Sequence, residues 1–137
     1  TGDVLWHMGK GRANEFTFID DPYNGFSHQH ASYELENGNI ILLDNGLDHT
    51  KILSRVLEYK VDEVAKTATL VFSKEFPSYQ AYVAGNAFRQ DNGNTIAAFG
   101  SQGYVEEFDD QGWPVLSYRQ GGLIYQAMKS KLPWRKE

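Results

Sequence analysis

Short apolar runs of four to eight residues, each bounded by Gly, Asn, Asp or Ser, recur along the whole chain. That length and punctuation predict strands rather than helices. Two stretches share one pattern. Tyr33 to Asn45 holds Asn37-Gly38-Asn39 between two apolar-rich runs, and Phe88 to Gly100 holds Asn92-Gly93-Asn94 in the same place, 55 positions on. Asn-Gly between such runs is a strong hairpin signal, because the turn needs positive φ and these residues tolerate it. Each hairpin is followed by a second strand pair. In the first copy these are Arg55 to Asp62 and Thr67 to Phe72, joined by a turn at Glu63 to Lys66. In the second they are Tyr104 to Asp109 and Trp113 to Tyr118. The offset between copies falls from 55 to 49 because Asn45 to Ser54 is a longer connection than Gly100 to Gly103. The chain is therefore read as a repeat protein whose unit is four strands.

Both ends fit the same register. Thr1 to Trp6 matches the last strand of the second copy, Gln111 to Leu116, and Gly122 to Met128 reads as the first strand of a further copy before a short charged tail, Lys129 to Glu137. Units of four antiparallel strands and roughly 40 to 50 residues have the spacing of β-propeller blades. The expected class is all-β: blades built as four-stranded antiparallel meanders, in an incomplete ring of about two full blades plus partial ones. The chain is expected to form a single propeller segment. Residues 1–26 are read as the end of a preceding blade and a linker, 27–78 as the first full blade, 79–120 as the second, and 121–137 as the first strand of a further blade and a tail. A closed propeller needs about four to eight blades. The expectation is thus a fragment of a longer protein, favoured by Thr1 standing in mid-pattern, or a subunit that meets the remaining blades or identical chains to complete a ring.

Composition narrows the function. With 137 residues, 41% hydrophobic and 14% aromatic, the chain is well outside the disordered regime. A formal charge of −5 argues against a nucleic-acid footprint, and the basic tail is too short to reverse that. The absence of Cys removes disulfides and thiolate metal sites and leaves the compartment unknown. No run of 18 apolar residues predicts a membrane span.

In a four-stranded meander, the connection into the first strand and the connection between strands two and three lie at one end. For these blades they are Gly25 to His30 with Asp44 to Arg55, and Val83 to Asn86 with Gly100 to Gly103. That end gathers His28, His30 and His49 with Asp44, Asn45, Asp48, Arg55 and Asn86, where propellers bind ligands. His28 and His30, two apart, point the same way if extended. An imidazole there can serve as nucleophile, base or metal ligand, or can be a hydrogen-bonded loop residue. Two His and an acid without a third ligand at fixed spacing do not make a metal site, and none is assigned. His7 is read as structural. Glu106, Glu107, Asp109 and Asp110 are read as a solvated outer hairpin. For Arg55, pairing with Asp44 or Asp48 and binding of an anion remain open alternatives.

At these residues the chain resembles the arylsulfotransferase family. The matching phrases are Gly25 to His30, Leu43 to Gly46, Ser54-Arg55 with Val56 to Tyr59, Thr67 to Leu70, Gly85-Asn86, Asn92 to Asn94 with Phe99-Gly100, Val105 to Asp109, and Tyr125 near Leu132-Pro133-Trp134. They run in the family's order and cover its C-terminal part. The resemblance implies a larger propeller, commonly six-bladed, and a periplasmic or secreted location. It also implies sulfuryl transfer from a phenolic sulfate ester to a phenol through a transiently sulfated histidine, without a nucleotide sulfate donor or other cofactor. Carried onto this sequence, it makes His30 the first active-site imidazole and Arg55 its partner, with His28, Asn45, His49 and Asn86 as substrate-binding candidates. Two positions depart from the family pattern: Gln126 follows Tyr125 where Arg is frequent, and Asp44-Asn45 follows the second strand where the bacterial branch carries Arg. The rival expectation is a non-catalytic propeller module used for binding or assembly.

Overall fold

A computed structural model describes residues 2–51 and 53–130. The expected strand at Thr1 to Trp6 is therefore described only from Gly2, and the tail, including Leu132-Pro133-Trp134, lies outside the described residues. Nine strands form two sheets: β1 (Thr17–Ile19), β2 (His30–Glu34), β3 (Ile40–Asp44), β4 (Ser54–Asp62), β5 (Thr67–Phe76), β6 (Asn86–Arg89), β7 (Thr95–Phe99), β8 (Tyr104–Phe108) and β9 (Pro114–Arg119). Strands β2 to β5 make one antiparallel meander and β6 to β9 a second. One turn of 3-10 helix, Gly100–Gln102, is the helical content of the described residues. The molecule is all-β, with two four-stranded units in sequence order, consistent with an incomplete propeller.

The repeated turn chemistry explains the repeated hairpins. In each, the amide after the first strand donates across the turn: Leu35 N to Asn39 O at 2.7 Å, and Gln90 N to Asn94 O at 2.8 Å. Asn37 Oδ1 then accepts from Asn39 N, as Asn92 Oδ1 does from Asn94 N. Gly38 and Gly93 supply the positive φ, 81° and 87°. The second asparagine of each motif crosses to the third strand of its sheet. Asn39 Nδ2 donates to Glu58 at 2.7 Å, and Asn94 Nδ2 donates to Glu107 at 2.8 Å. The two units thus share a buried side-chain anchor as well as a turn.

The sheets pack face to face. Ile41, Leu43, Val56 and Phe76 of the first meet Ala87, Ala97, Phe99 and Phe108 of the second. Alanines on β6 and β7 leave room for the rings, so Phe76 lies 4.5 Å from Phe99, centroid to centroid. Arg89 reaches back from β6 to Glu58 at 2.8 Å, and Tyr33 Oη accepts from Arg89 N. The opposite face of the first sheet, with Leu42, Leu57, Tyr59 and Ala68, is covered by Phe16, Phe18 and Phe26.

Four features differ from the sequence reading. Gly2 to Trp6 forms no strand. No ladder among the described residues lies beside it, and the chain instead folds back, His7 N donating to Glu15 Oε1 and Glu15 N to His7 O, with Trp6 edge-on to Phe16. Part of the supposed linker is instead β1, which pairs parallel with the outer edge of β5 through Thr17↔Thr67 and Phe18↔Ala68. Gly122 to Met128 is likewise not a strand. It is held at the start of β6 by the Asn86 side chain, whose amide both donates to Ala127 O and accepts from Ala127 N. Finally, β5 runs four residues past Phe72, because Ser54 to Leu57 offer it partners as far as Phe76.

Close approach between the sheets is also set by Gly85. Its φ is 107°, and a Cβ there would overlap the Ala98 carbonyl and the Leu43 side chain, neither free to retreat. Gly85→Ala is expected to destabilise by more than about 1 kcal/mol. Gly38→Ala, which adds only the turn strain because no atom lies within 4 Å, serves as the comparison. Urea midpoints measured side by side check the order.

Candidate functional site

Strand alternation divides the expected site in two. At the end of β3, Asp44 points to the same face as Leu42 and Asn45 to the same face as Leu43. Asp44 thus joins a cluster on the outer face of the first sheet, and Asn45 joins one between the sheets.

The first cluster centres on Arg55, whose side chain is fully buried. Its Nε and Nη2 donate to Asp44 Oδ2 at 3.0 and 2.7 Å, its Nη1 donates to Asp21 Oδ1 at 2.9 Å, and Nη2 also reaches Gly25 O at 3.1 Å. The guanidinium stacks on the Tyr23 ring, 4.4 Å from its centroid. Of the alternatives left open by the sequence, the structure realises pairing with Asp44. Asp48 is elsewhere, 3.6 Å from His28. Burial alone would lower the Arg55 pKa, but its hydrogen bond to Asp21 and the Asp44 charge outweigh it and the net direction is upward. His49 sits on the same carboxylate, Nε2 donating to Asp44 Oδ2 at 2.8 Å, with Nδ1 buried and without a hydrogen-bond partner among the described residues. Asp44 Oδ1 accepts from Ser27 N at 2.9 Å, which ties the Gly25 to His30 segment to the long β3–β4 connection.

Asp21 and Tyr59 belong to this cluster and were missed in the sequence. Asp21-Pro22 with Gly25 is legible as a turn, and Asp21 does accept from Tyr23 N and Gly25 N, both at 3.0 Å. Its other partners, Arg55 and the Tyr59 hydroxyl that donates to Oδ2, lie 34 and 38 residues away and leave no local trace. Burial would raise the Asp21 pKa, yet the bonds from Arg55, Tyr59 and Tyr23 hold it below the ordinary 3.8. Burial, then the Asp21 carboxylate, push the Tyr59 phenol up. The folded state therefore favours ionised Asp21. Its contribution to stability is complete above the unfolded pKa and is lost as pH falls through the depressed folded value. Between pH 5 and pH 2, Asp21→Asn is expected to lose stability less steeply than the unmodified chain, as measured by thermal melts across that range.

The second cluster centres on Asn45, fully buried. Its Nδ2 donates to Ala81 O at 2.8 Å and Ala84 O at 3.3 Å, joining the first sheet to the β5–β6 connection. Its Oδ1 lies 2.7 Å from His30 Nδ1, while Ala84 N–H reaches His30 Nε2 at 3.2 Å. An amide N–H only donates, so Nε2 carries the lone pair and Nδ1 the proton, which it donates to Asn45. The tautomer of His30 is thereby fixed. A bulge between His30 and Tyr33, with Ala31 at φ 49°, sets the ring's direction.

The remaining candidates are dispersed. His28 is half-exposed, in the left-handed region at φ 54°; its carbonyl accepts from His30 Nδ1 at 3.2 Å, while its own ring turns away to Asp48, 3.6 Å off. Asn86, at the β6 position equivalent to His30 in β2, has its amide taken up by Ala127. His30 and Asn45 are brought together; Arg55 and His49 are brought together beside Asp44; His28 joins the first pair only through its backbone carbonyl, and the Asn86 side chain joins neither. Among the described residues no group of three His, Cys, Asp or Glu is arranged to hold a metal ion.

A search of curated proteins returns no match to this chain. The family model described as Arylsulfotransferase (ASST) matches residues 2–120, which takes in every strand of both sheets and both clusters. On that match the chain belongs to the arylsulfotransferase family.

Proposed function

We propose that this chain supplies two blades and one rim of a propeller that moves a sulfuryl group from a phenolic sulfate ester to a phenol, with His30 Nε2 as the nucleophile. The observation that carries this reading is the 2.7 Å bond from His30 Nδ1 to Asn45 Oδ1, which leaves the lone pair on Nε2 and orients the ring as a nucleophile requires. In the first step the lone pair attacks sulfur, an N–S bond forms, the S–O bond to the aryl group breaks, and the phenol leaves after taking a proton. In the second, the acceptor phenol loses its proton, its oxygen attacks sulfur, the N–S bond breaks, and neutral imidazole returns. Ala84 N–H must first release Nε2, so the exposed Tyr82-Val83 segment beside it moves as substrate enters. Arg55, held by two carboxylates, acts as a positioning residue that fixes the rim rather than as a ligand for sulfate. The remaining blades come from flanking sequence or from identical chains.

A second reading has its own support. His30 and Asn86 occupy equivalent ladder positions, opposite Leu43 and Ala98, and both grip backbone of the segment that follows their sheet. In that reading His30 is a latch between blades and the module is not catalytic. The test is incubation of the protein, expressed with all of its open reading frame, with p-nitrophenyl sulfate and phenol. Coloured p-nitrophenol released in proportion to phenol is the expected result. No release above the uncatalysed rate rejects transfer and leaves the latch.

A further inference from the structure

The chain has a formal charge of −5, yet an open cavity of about 440 Å³ on the rim gathers Lys10, Arg12, His7 and His28 around a single lining carboxylate, Asp48. Charge balance within the cavity is therefore opposite to that of the chain. Two glycines shape its wall: Gly9 and Gly11, at φ 155° and 124°, adopt backbone that L side chains rarely take and set Lys10 between them. The loop is closed by Asn14, whose Oδ1 accepts from Gly9 N and whose N donates to Gly11 O, both at 3.3 Å.

The opposite wall is also fixed. Ser27 N is held by Asp44 and Ser27 Oγ accepts from Asp48 N at 3.0 Å, which leaves His28 at the cavity edge in its left-handed conformation. Strain of this kind at an exposed imidazole directs attention to binding. Lys10 Nζ bridges the walls by donating to Asp48 O at 2.9 Å, a neutral carbonyl, and makes no ion pair with a carboxylate among the described residues. Arg12 is exposed and makes no ion pair with a carboxylate among the described residues. Two cationic side chains and one imidazole thus surround one space of a size that takes a small molecule.

We propose that this cavity is a subsite for a compact tetrahedral oxyanion, a sulfate or phosphate group carried free or as an ester, bound by Lys10 and Arg12 with His28 as a third donor. It is distinct from His30 Nε2, which faces Ala84, and it does not depend on sulfuryl transfer. Binding and turnover can therefore fail separately.

The test is titration of ¹⁵N-labelled protein at low ionic strength with sodium sulfate, sodium phosphate and p-nitrophenyl sulfate, against sodium chloride at matched ionic strength. Saturable shifts at the Gly9, Gly11 and His28 amides are expected. Lys10→Ala/Arg12→Ala should weaken binding about tenfold or more, with a melting curve lowered only slightly, because both side chains are exposed and the bond lost, Lys10 to Asp48 O, lies at the surface. Asp48→Asn should tighten it. Saturation by inorganic sulfate or phosphate identifies the free anion as sufficient, whereas saturation by the aryl ester alone, lost in the double variant, identifies the ester as the ligand. Shifts no larger than with chloride, or binding that survives the double variant, overturn the proposal.

Discussion

Arg55→Met is expected to destabilise the protein by about 3–5 kcal/mol, because it removes the partner of two buried carboxylates while leaving both in place. Asp21 and Asp44 have no exposed side-chain surface at this ion pair, and between them they accept three hydrogen bonds from the guanidinium. Without the cation the Tyr23 ring loses its stacking partner, and Gly25 O loses its donor. Arg55→Lys is not expected to rescue, since an ammonium cannot span Asp44, Asp21 and Gly25 with a planar fork. A fall of that size is a large part of the stability of an ordinary domain. Equilibrium urea denaturation checks it, and a loss under about 1 kcal/mol would show that the cluster is not the centre that holds the rim.

His30→Ala is expected to lower kcat by on the order of 10⁴-fold or more, the scale on which removal of a nucleophile acts. The same change also deletes the bond from Ala84 N, so lost activity alone does not separate chemistry from structure. Two companions do. His30→Asn keeps a short polar group for the Ala84 amide but has no nucleophilic nitrogen, and should be as inactive as the alanine variant while melting closer to the unmodified protein. Asn45→Ala leaves the imidazole with Ala84 N and the His28 carbonyl as partners but removes its shortest hydrogen bond, and should lower kcat with a smaller loss. If His30→Asn retains the unmodified rate, His30 is a latch.

The repeat was legible because its signals are local. Asn37-Gly38 and Asn92-Gly93 dictate their turns through their own backbone preference, and the flanking apolar runs then pair without reference to distant sequence. The edges were less legible. Gly2 to Trp6 and Gly122 to Met128 have strand composition, but a strand exists only where a neighbour offers a ladder, and composition does not say whether one is present. β1 is the converse: three residues paired in parallel with β5, too short for any period to show.

The candidate residues were legible by their end of the meander and not by role. Meander geometry places His30, Asn45, His49 and Arg55 at one end, and they are there. What separated them is the alternation at Asp44 and Asn45, which sends adjacent side chains to opposite faces of the sheet. The partner that completes the Arg55 cluster, Asp21, was hidden because a turn aspartate looks the same whether or not a guanidinium arrives from 34 residues away.

The most direct test of the account is to mix the protein with excess p-nitrophenyl sulfate without acceptor, quench it rapidly and map its peptides by mass spectrometry. One added SO₃ group is expected on the peptide bearing His30, lost when phenol is supplied. Release of p-nitrophenol with that peptide unmodified, or with the group on a different histidine, would contradict it.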